Sequence, residues 1–185
     1  TPLEELQRTA ARDGLWLPVA SPWPHATPGG IISTNFNAPL RMRPTYGPLR
    51  DLLLAVKAIL PDGRIIRMGR PVVKNVAGYD LVRLFAGAHG TLGLLTEVTF
   101  RLAPLPRSRA SLVLPVQDAR QGLEWGRAAQ RLSLVASALL LCRGANVPGC
   151  GARFALVYTA EGLAEDVESE LTEIEEAWRE ARAPA

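Results

Sequence analysis

Three short segments of this sequence combine glycine with threonine, serine and asparagine rather than with charged residues. They are residues 26–35, 74–80 and 90–96, and nine of the 16 glycines lie between Gly29 and Gly93. Glycine lets a backbone approach a ligand closely, and N–H groups and small hydroxyls donate hydrogen bonds to anionic oxygens. None of the segments is a Walker A loop or a G-x-G-x-x-G between a strand and a helix. Singly, each is more typical of a turn than of a site.

Composition excludes several classes of protein. The chain has 185 residues, 48% of them hydrophobic and 21% charged, which is too apolar for a disordered chain. Its two cysteines, Cys142 and Cys150, match no zinc spacing, so we expect ordinary thiols and no metal site. No run of about 18 apolar residues could span a membrane. The length suits one domain, or one domain and a fragment of another.

The basic residues are unevenly distributed along the chain. Residues 1–110 carry a formal charge of +7 and residues 111–185 carry −4, which suggests two structural units. The basic first part could face a nucleic acid, a membrane surface or a phosphate-bearing cofactor, or could simply be solvated. Only two of the 21 basic residues are lysines. One of them, Lys74, could neutralise a phosphate, or could form an ion pair with Asp80 or Asp51.

The first part is predicted to be a small α/β arrangement interrupted by loops. Thr1 and Glu4 have the order of a capping box for a helix that Gly14 would end. A short strand over 16–19 and a long loop with short elements over 21–48 follow. Strands over 52–60 and 64–68 flank a Pro-Asp-Gly turn, Asp80 would cap a short helix over 81–86, and a strand is predicted over 94–102. Prolines at 104 and 106 suggest a domain boundary there.

The second part has a clearer periodicity. It predicts a strand over 109–116, a helix over 118–132, strands over 134–142 and 152–159, and a helix over 163–182. This strand–helix–strand–strand–helix order is most of a ferredoxin-like split βαβ unit without its last strand. The chain as a whole is therefore expected to be an α+β protein.

Taken together and in order, the glycine-rich segments closely resemble the second half of the FAD-binding domain of the p-cresol methylhydroxylase and vanillyl-alcohol oxidase superfamily. Within it they are most similar to the glycolate oxidase group, in particular to an FAD-binding subunit of that group. The resemblance is carried by Ala26-Thr27-Pro28-Gly29-Gly30, Thr34-Asn35, Tyr46-Gly47, Arg50-Asp51, Pro61-Asp62-Gly63, Lys74-Asn75-Val76-Ala77-Gly78-Tyr79-Asp80-Leu81, Leu84-Phe85-Ala86-Gly87, and the run from Gly90 to Val98.

The resemblance implies a domain division and a cofactor. Residues 1–106 would be the C-terminal part of an FAD-binding domain, and residues 107–185 a partial cap domain. We expect the first pyrophosphate loop of such a site to precede Thr1. The residues expected to bind FAD are Thr27, Gly29, Gly30, Thr34, Asn35, Lys74, Gly78, Asp80, Gly90, Gly93 and Leu95. No catalytic residue is nominated; His25 and His89 are more typical of loop histidines than of acid–base groups.

The implied function is that of the FAD-binding subunit of a flavin-dependent 2-hydroxy-acid dehydrogenase or oxidase. Hydride would pass from glycolate or a similar acid to the flavin, and electrons would leave through a second flavoprotein subunit and an iron–sulfur subunit. We expect a cytoplasmic protein, or one held peripherally at the inner membrane through its partner subunits. The alternative is a non-catalytic scaffolding subunit that keeps the fold. Nucleic-acid binding is disfavoured because no aromatic residues are interleaved with the arginines.

Overall fold

The computed structural model describes residues 1–23, 25–36, 46–72, 80–144 and 150–182. The chain folds as two compact units, Thr1–Leu105 and Pro106–Ala185. It combines helices with antiparallel sheets, which confirms the expected α+β class. In the described part of the chain, no helix is both long enough and apolar enough to cross a membrane.

Unit 1, Thr1–Leu105, has one three-stranded sheet with short helices around it. Its strands β2, β3 and β4 pair antiparallel in the order β3-β2-β4, and β1 pairs separately with β5. Its elements in chain order are α1 (Leu3–Ala11), β1 (Leu15–Trp16), α2 (Pro28–Thr34), α3 (Leu49–Leu52), β2 (Leu53–Ile59), β3 (Ile65–Gly69), a 3₁₀ helix (Leu81–Phe85), β4 (Leu94–Phe100) and β5 (Ala103–Pro104).

The core of unit 1 lies between the sheet and the short helices. The central strand β2 buries Val56 and Ala58, and α2 contributes Ile31 and Ile32. A register shift between Lys57 and Ala58 leaves an extra residue on β4, which is the pattern of a β-bulge. Burial of these aliphatic side chains provides the main driving force for folding of the unit.

Gly69 is required by close packing within this sheet. Its φ is +78°, and a Cβ there would lie 2.1 Å from the carbonyl oxygen of Leu54. No side chain fits at that distance from a backbone atom. The glycine therefore allows the end of β3 to approach β2.

Two capping predictions for unit 1 were wrong, and the bounds of one strand differ. The first helix begins at Leu3 with Pro2 at its N-cap position and no side-chain cap, so Thr1 and Glu4 form no capping box there. Asp80 makes no side-chain cap either, because its carboxylate pairs with Arg83. The strand predicted over 52–60 spans Leu53–Ile59, because Leu52 ends the one-turn helix α3. The loop over 21–48, predicted to contain short elements, includes the seven-residue helix α2.

Unit 2, Pro106–Ala185, has the order strand, helix, strand, strand, helix. The elements are β6 (Ser108–Val116), α4 (Ala119–Leu132), β7 (Ala136–Arg143), β8 (Phe154–Gly162) and α5 (Ala164–Arg182). All pairs are antiparallel in the order β6-β8-β7. Asp118 caps α4 by accepting a hydrogen bond from the N–H of Gln121 at 2.8 Å.

A buried carboxylate connects α5 to the sheet. Glu170 accepts hydrogen bonds from Tyr158 Oη at 2.6 Å and from the N–H groups of Leu134 at 2.5 Å and Val135 at 2.7 Å. Burial, together with the hydrogen bond to Glu170, raises the pKa of Tyr158 above its ordinary value. The cluster satisfies four polar groups at once, so it fixes the register of α5 on strand β8.

Candidate functional site

An open cleft of about 840 Å³ lies in unit 1 between α1, the first turn of α2 and strand β4. Its walls combine hydroxyls and carboxylates with aliphatic and aromatic side chains. They are formed by Thr1, Glu5, Leu6, Thr9, Ala10, Asp13, Thr27, Pro28, Gly29, Leu95, Thr96, Val98, Thr99, Phe100 and Leu102. The cleft brings together Thr27, Gly29 and Leu95, three of the residues predicted to bind the cofactor.

One end of the cleft is the turn that begins α2. Thr27 is the N-cap, and its Oγ1 accepts a hydrogen bond from the N–H of Gly30 at 3.1 Å. Pro28 occupies the first helical position, which suits its fixed φ. A Cβ placed on Gly29 would have no atom within 4 Å. Gly29 therefore presents open backbone to the cleft, and a bulky ligand group could approach it closely.

Strand β4 forms the opposite wall. Leu95, Val98 and Phe100 pack their inner surfaces against the core and remain partly exposed on the cleft side. Thr96 lies in the bulge and donates its hydroxyl hydrogen to the carbonyl of Lys57 at 3.1 Å. This wall is mainly apolar, as expected where a ring system is to be held.

A salt bridge holds β4 to β2 beside this wall. Lys57 Nζ lies 2.5 Å from Glu97 Oε1, and the hydrogen bond and charge of Lys57 lower the pKa of Glu97. One of the two lysines of the chain thus has a structural partner. The other, Lys74, lies outside the described residues.

The other end of α2 gathers a second group of predicted residues. Thr34 donates its hydroxyl hydrogen to the carbonyl of Gly30 at 2.8 Å, and Asn35 is the left-handed C-cap with a φ of 49°. The backbone N–H of His89 donates to the carbonyl oxygen of Ser33 at 2.7 Å, which brings the loop containing Gly90 to this end. Since α2 has seven residues, the two ends are separated by roughly 10 Å. Of the predicted residues, Thr27, Gly29 and Leu95 thus lie at one end of α2, and Thr34, Asn35 and Gly90 lie at the other.

Other predicted residues have structural partners. Asp80 pairs with Arg83 at 2.7 Å, and Arg83 also contacts Asp51 at 3.2 Å. A Cβ on Gly93 would lie 2.6 Å from the carbonyl oxygen of Ile59, so this glycine is needed for packing. Gly30 donates its N–H to Thr27. Gly78, like Lys74, lies outside the described residues. FAD binding by these residues stays a prediction.

Sequence reasoning missed the polar side of the cleft. Thr1, Glu5, Thr9 and Asp13 recur every four residues, a spacing that places side chains on one face of a helix. That spacing was a usable signal, but it could not show which face adjoins β4. The two carboxylates make this wall acidic, and no arginine, lysine or histidine is found among the described lining residues.

The groups that line the cleft can be matched to the chemical groups of FAD. The turn at Thr27 and Gly29 offers a hydroxyl and open backbone, which suit a phosphate. Leu95, Val98 and Phe100 offer an apolar surface of the kind that aromatic rings prefer. The residues present therefore fit a ligand that joins a ring system to a phosphate.

Comparison with known proteins decides the family. Residues 1–69 match the profile of a family described as "FAD binding domain". Residues 1–69 belong to this family. The resemblance inferred from the glycine-rich segments is thereby confirmed, and FAD is the cofactor of the family.

Relatives of this FAD-binding chain include enzymes that act on 2-hydroxy acids. It is 38% identical over 130 residues to glycolate oxidase subunit GlcE of Escherichia coli, covering 68% of this chain and 37% of that protein. It is 39% identical over 113 residues to a D-lactate dehydrogenase of Archaeoglobus fulgidus, covering 61% of this chain and 25% of the relative. It therefore spans less than two fifths of either relative.

The fold also matches a solved structure. Alkyldihydroxyacetonephosphate synthase aligns with a TM-score of 0.75 at 14% identity, covering all of this chain and 38% of that one. At this level of identity, the match shows a shared fold alone. It includes both units of the chain.

Proposed function

We propose that this chain is the FAD-binding part of a flavin-dependent 2-hydroxy-acid dehydrogenase or oxidase of the glycolate type. The family match over residues 1–69 supports FAD as the cofactor. Similarity to GlcE, and to the Bacillus subtilis subunit GlcD at 41% identity over 88 residues, supports the substrate class. In this proposal unit 1 is the C-terminal part of the FAD-binding domain, and unit 2 is a partial cap domain.

The observation that carries the proposal is the cleft at the start of α2. Thr27 and Gly29 come from one predicted segment and Leu95 from another, 66 or more residues apart in sequence, yet they line one cavity. Leu95 belongs to the apolar wall opposite the turn that contains Thr27 and Gly29. Convergence of separate motifs is what a bound cofactor requires.

Each wall of the cleft would have a distinct role in holding the cofactor. The backbone at Gly29 and the Thr27 turn would bind the diphosphate, and Leu95 with Phe100 would exclude water from the neighbouring ring system. The Lys57–Glu97 pair would keep β4 in register behind that wall. Bound FAD supplies the electron acceptor for oxidation of a 2-hydroxy acid to a 2-oxo acid. The carboxylates of Glu5 and Asp13 would repel the diphosphate and favour its placement at the Thr27 turn.

We further propose that the chain works inside a complex. A second flavoprotein subunit and an iron–sulfur subunit would take the electrons onward. The names of its relatives GlcE and GlcD, both subunits of glycolate oxidase, support such a complex. The protein would be cytoplasmic, or peripheral at the inner membrane through those partners.

An absorbance spectrum of the intact gene product tests the cofactor. We expect absorbance bands at roughly 370 and 450 nm from a bound flavin. Heat denaturation should release this flavin into the supernatant. Anaerobic addition of glycolate or D-lactate should then bleach the longer band. A colourless protein that takes up no added FAD would overturn the proposal. A flavin that stays oxidised with both acids, even with partner subunits present, would instead support a scaffolding subunit.

A further inference from the structure

The sheet of unit 1 has one face turned away from the core of that unit. Val56, Ala58 and Leu95 pack into the core. Side chains alternate along strands, so their neighbours lie on the opposite side of the sheet, which we call the outer face. Strand register places six side chains there: Lys57 and Ile59 of β2, Ile65 and Arg67 of β3, and Leu94 and Glu97 of β4.

One row of the outer face is apolar. Ile59 lies opposite Ile65 of one neighbouring strand and opposite Leu94 of the other. Ile65 is 63% exposed and Leu94 is 67% exposed. Single exposed aliphatic side chains are common on protein surfaces. Three of them side by side across a sheet form a contiguous apolar patch, which is a feature of interaction surfaces.

The next row carries an excess of positive charge. Lys57 lies opposite Arg67 on one side and opposite Glu97 on the other. In the described part of the chain Glu97 forms its ion pair with Lys57, and no ion pair is seen for the exposed Arg67. Like charges directly opposite each other on a sheet are destabilising, so a carboxylate beside Arg67 is favourable. The outer face therefore suits a partner that presents apolar side chains and an acid.

Unit 2 presents such a surface where α5 begins. The backbone N–H of Glu161 donates to the carbonyl oxygen of Val135 at 3.0 Å. Leu134 directly precedes Val135, and Leu163 follows Glu161 by two residues, so both leucines lie at this end of the sheet. They are 86% and 53% exposed. Asp166 is exposed in the first turn of the helix. We call Leu134, Leu163 and Asp166 the α5 start.

The two surfaces match in order and in spacing. On the outer face, the charged row lies two residues along the strands from the apolar row, which is roughly 7 Å. At the α5 start, Asp166 follows Leu163 by three residues, which is roughly 4.5 Å along a helix. Residues 1–110 carry a formal charge of +7 and residues 111–185 carry −4. Opposite charges therefore favour contact between unit 1 of one chain and unit 2 of another.

We propose that the outer face of one chain binds the α5 start of a second copy of this chain. The apolar row covers Leu134 and Leu163, and Arg67 forms an ion pair with Asp166. Each chain carries both surfaces, so a two-fold axis repeats the contact and closes a dimer. This interface is independent of the cofactor and of the substrate.

Sedimentation velocity of the intact gene product across micromolar concentrations tests for this dimer. We expect a reversible dimer whose Kd rises at least about tenfold between low and high salt, because salt screens exposed charges. Ile65→Ser should raise the Kd by about tenfold or more, the loss expected for one apolar side chain at an interface. Leu123→Ser is the matched control and should leave the Kd unchanged, since Leu123 is 58% exposed on α4, outside both surfaces.

A charge exchange tests the ion pair between the two copies. Arg67→Glu and Asp166→Arg should each raise the Kd by about tenfold or more, because each places two like charges in contact. The double variant exchanges the two charges and should recover most of that loss. Arg120→Glu is the control for the change in net charge, since the Arg120 side chain is 88% exposed on α4. A double variant that associates no more tightly than either single variant would overturn the pairing of Arg67 with Asp166.

Mixing two disabled chains identifies the surfaces that meet. Ile65→Ser disables the outer face and Leu163→Ser disables the α5 start, so each variant alone should be mostly monomeric. A mixture of the two restores one intact contact and should form a heterodimer, which fluorescence anisotropy of one labelled variant detects. Circular dichroism checks the folding of every variant.

The outcomes separate this interface from the proposed function. A parent chain that stays monomeric, or a dimer that folded Ile65→Ser leaves unchanged, would overturn the interface even if the protein binds FAD. A dimer weakened by Ile65→Ser but not by Leu163→Ser would overturn the pairing of these two surfaces. A dimer that responds as expected in a protein that takes up no FAD would support the interface and contradict the proposed function.

Discussion

In unit 1, Gly29 faces an open cleft with no atom within 4 Å of its missing Cβ. In unit 2, Gly122 and Gly126 lie where α4 meets the sheet, and a Cβ on Gly122 would be 2.5 Å from Leu141 Cδ1. The same residue type thus leaves room for a ligand in one unit and for a neighbouring element in the other. A count of glycines cannot tell these two uses apart.

The two units also differ in how far their polar contacts are buried. Unit 2 holds α5 through the fully buried Tyr158 and the buried Glu170. The ion pairs seen in the described part of unit 1, such as Lys57–Glu97 and Asp80–Arg83, have exposed members. We infer that unit 2 relies more on specific buried polar contacts, and unit 1 on aliphatic packing around its cleft.

The largest effect is expected for Glu170→Ala in unit 2. It would leave the Tyr158 hydroxyl and two backbone N–H groups buried without an acceptor, and should lower the free energy of unfolding by about 3–5 kcal/mol. Urea unfolding followed by tryptophan fluorescence measures it, because Trp125 and Trp178 lie 5.4 Å apart in this unit. Glu173→Ala, on the exposed side of α5, is the control. Similar midpoints for the two variants would show that the buried cluster is not a major anchor.

The next largest effect is expected for Gly69→Ala in unit 1. The added Cβ would clash with the Leu54 carbonyl and occupy a positive φ, which should cost about 3 kcal/mol. Gly63→Ala has a similar φ of +84° but no atom within 4 Å of its Cβ, and should cost only about 1 kcal/mol. The difference between the urea unfolding midpoints of Gly69→Ala and Gly63→Ala separates the steric cost of the clash from the cost of a positive φ. Equal losses would mean that the close approach of β3 to β2 is not enforced.

A smaller effect is expected from alkaline pH through Tyr158. Its folded pKa is raised, so its contribution to stability is complete below the ordinary tyrosine pKa of about 10 and is lost as pH rises above it. The stability difference between the parent chain and Tyr158→Phe should therefore shrink between pH 9 and 11, by at most about 1.4 kcal/mol per pH unit. Urea midpoints at several pH values measure this difference. A constant difference over that range would contradict the raised pKa.

Much of unit 2 was predictable from sequence, and less of unit 1. The periodicity of α4 and the N-cap Asp118 located that helix within one residue, because local signals agreed with the tertiary packing. Asp80 has as good a sequence signal for an N-cap as Asp118. In the folded chain, however, the Asp80 carboxylate pairs with Arg83. Competition of this kind depends on which side chains folding brings together. Patterns within a short stretch of one sequence do not show which side chains will meet in the fold.

The candidate site, too, was predictable from sequence only in part. The glycine-rich segments predict Thr27, Gly29 and Leu95 as cofactor residues, and the structure places these three residues in the lining of one cleft. The polar residues Thr1, Glu5, Thr9 and Asp13 could not be assigned to the site in that way, because their approach to β4 is a tertiary contact. Thr34 and Asn35 have the expected composition, yet they lie at the far end of α2.

FAD titration of a matched glycine pair tests the central claim most directly. Gly29→Val places a side chain in the cleft, whereas Gly151→Val adds one to an exposed loop of unit 2 where a Cβ also meets no atom. Neither glycine has a positive φ, so both should fold. We expect quenching of flavin fluorescence by the intact gene product to show at least about tenfold weaker FAD binding for Gly29→Val, or about 1.4 kcal/mol, and unchanged binding for Gly151→Val. Equal FAD affinity for both variants would contradict the assignment of the cleft to the cofactor.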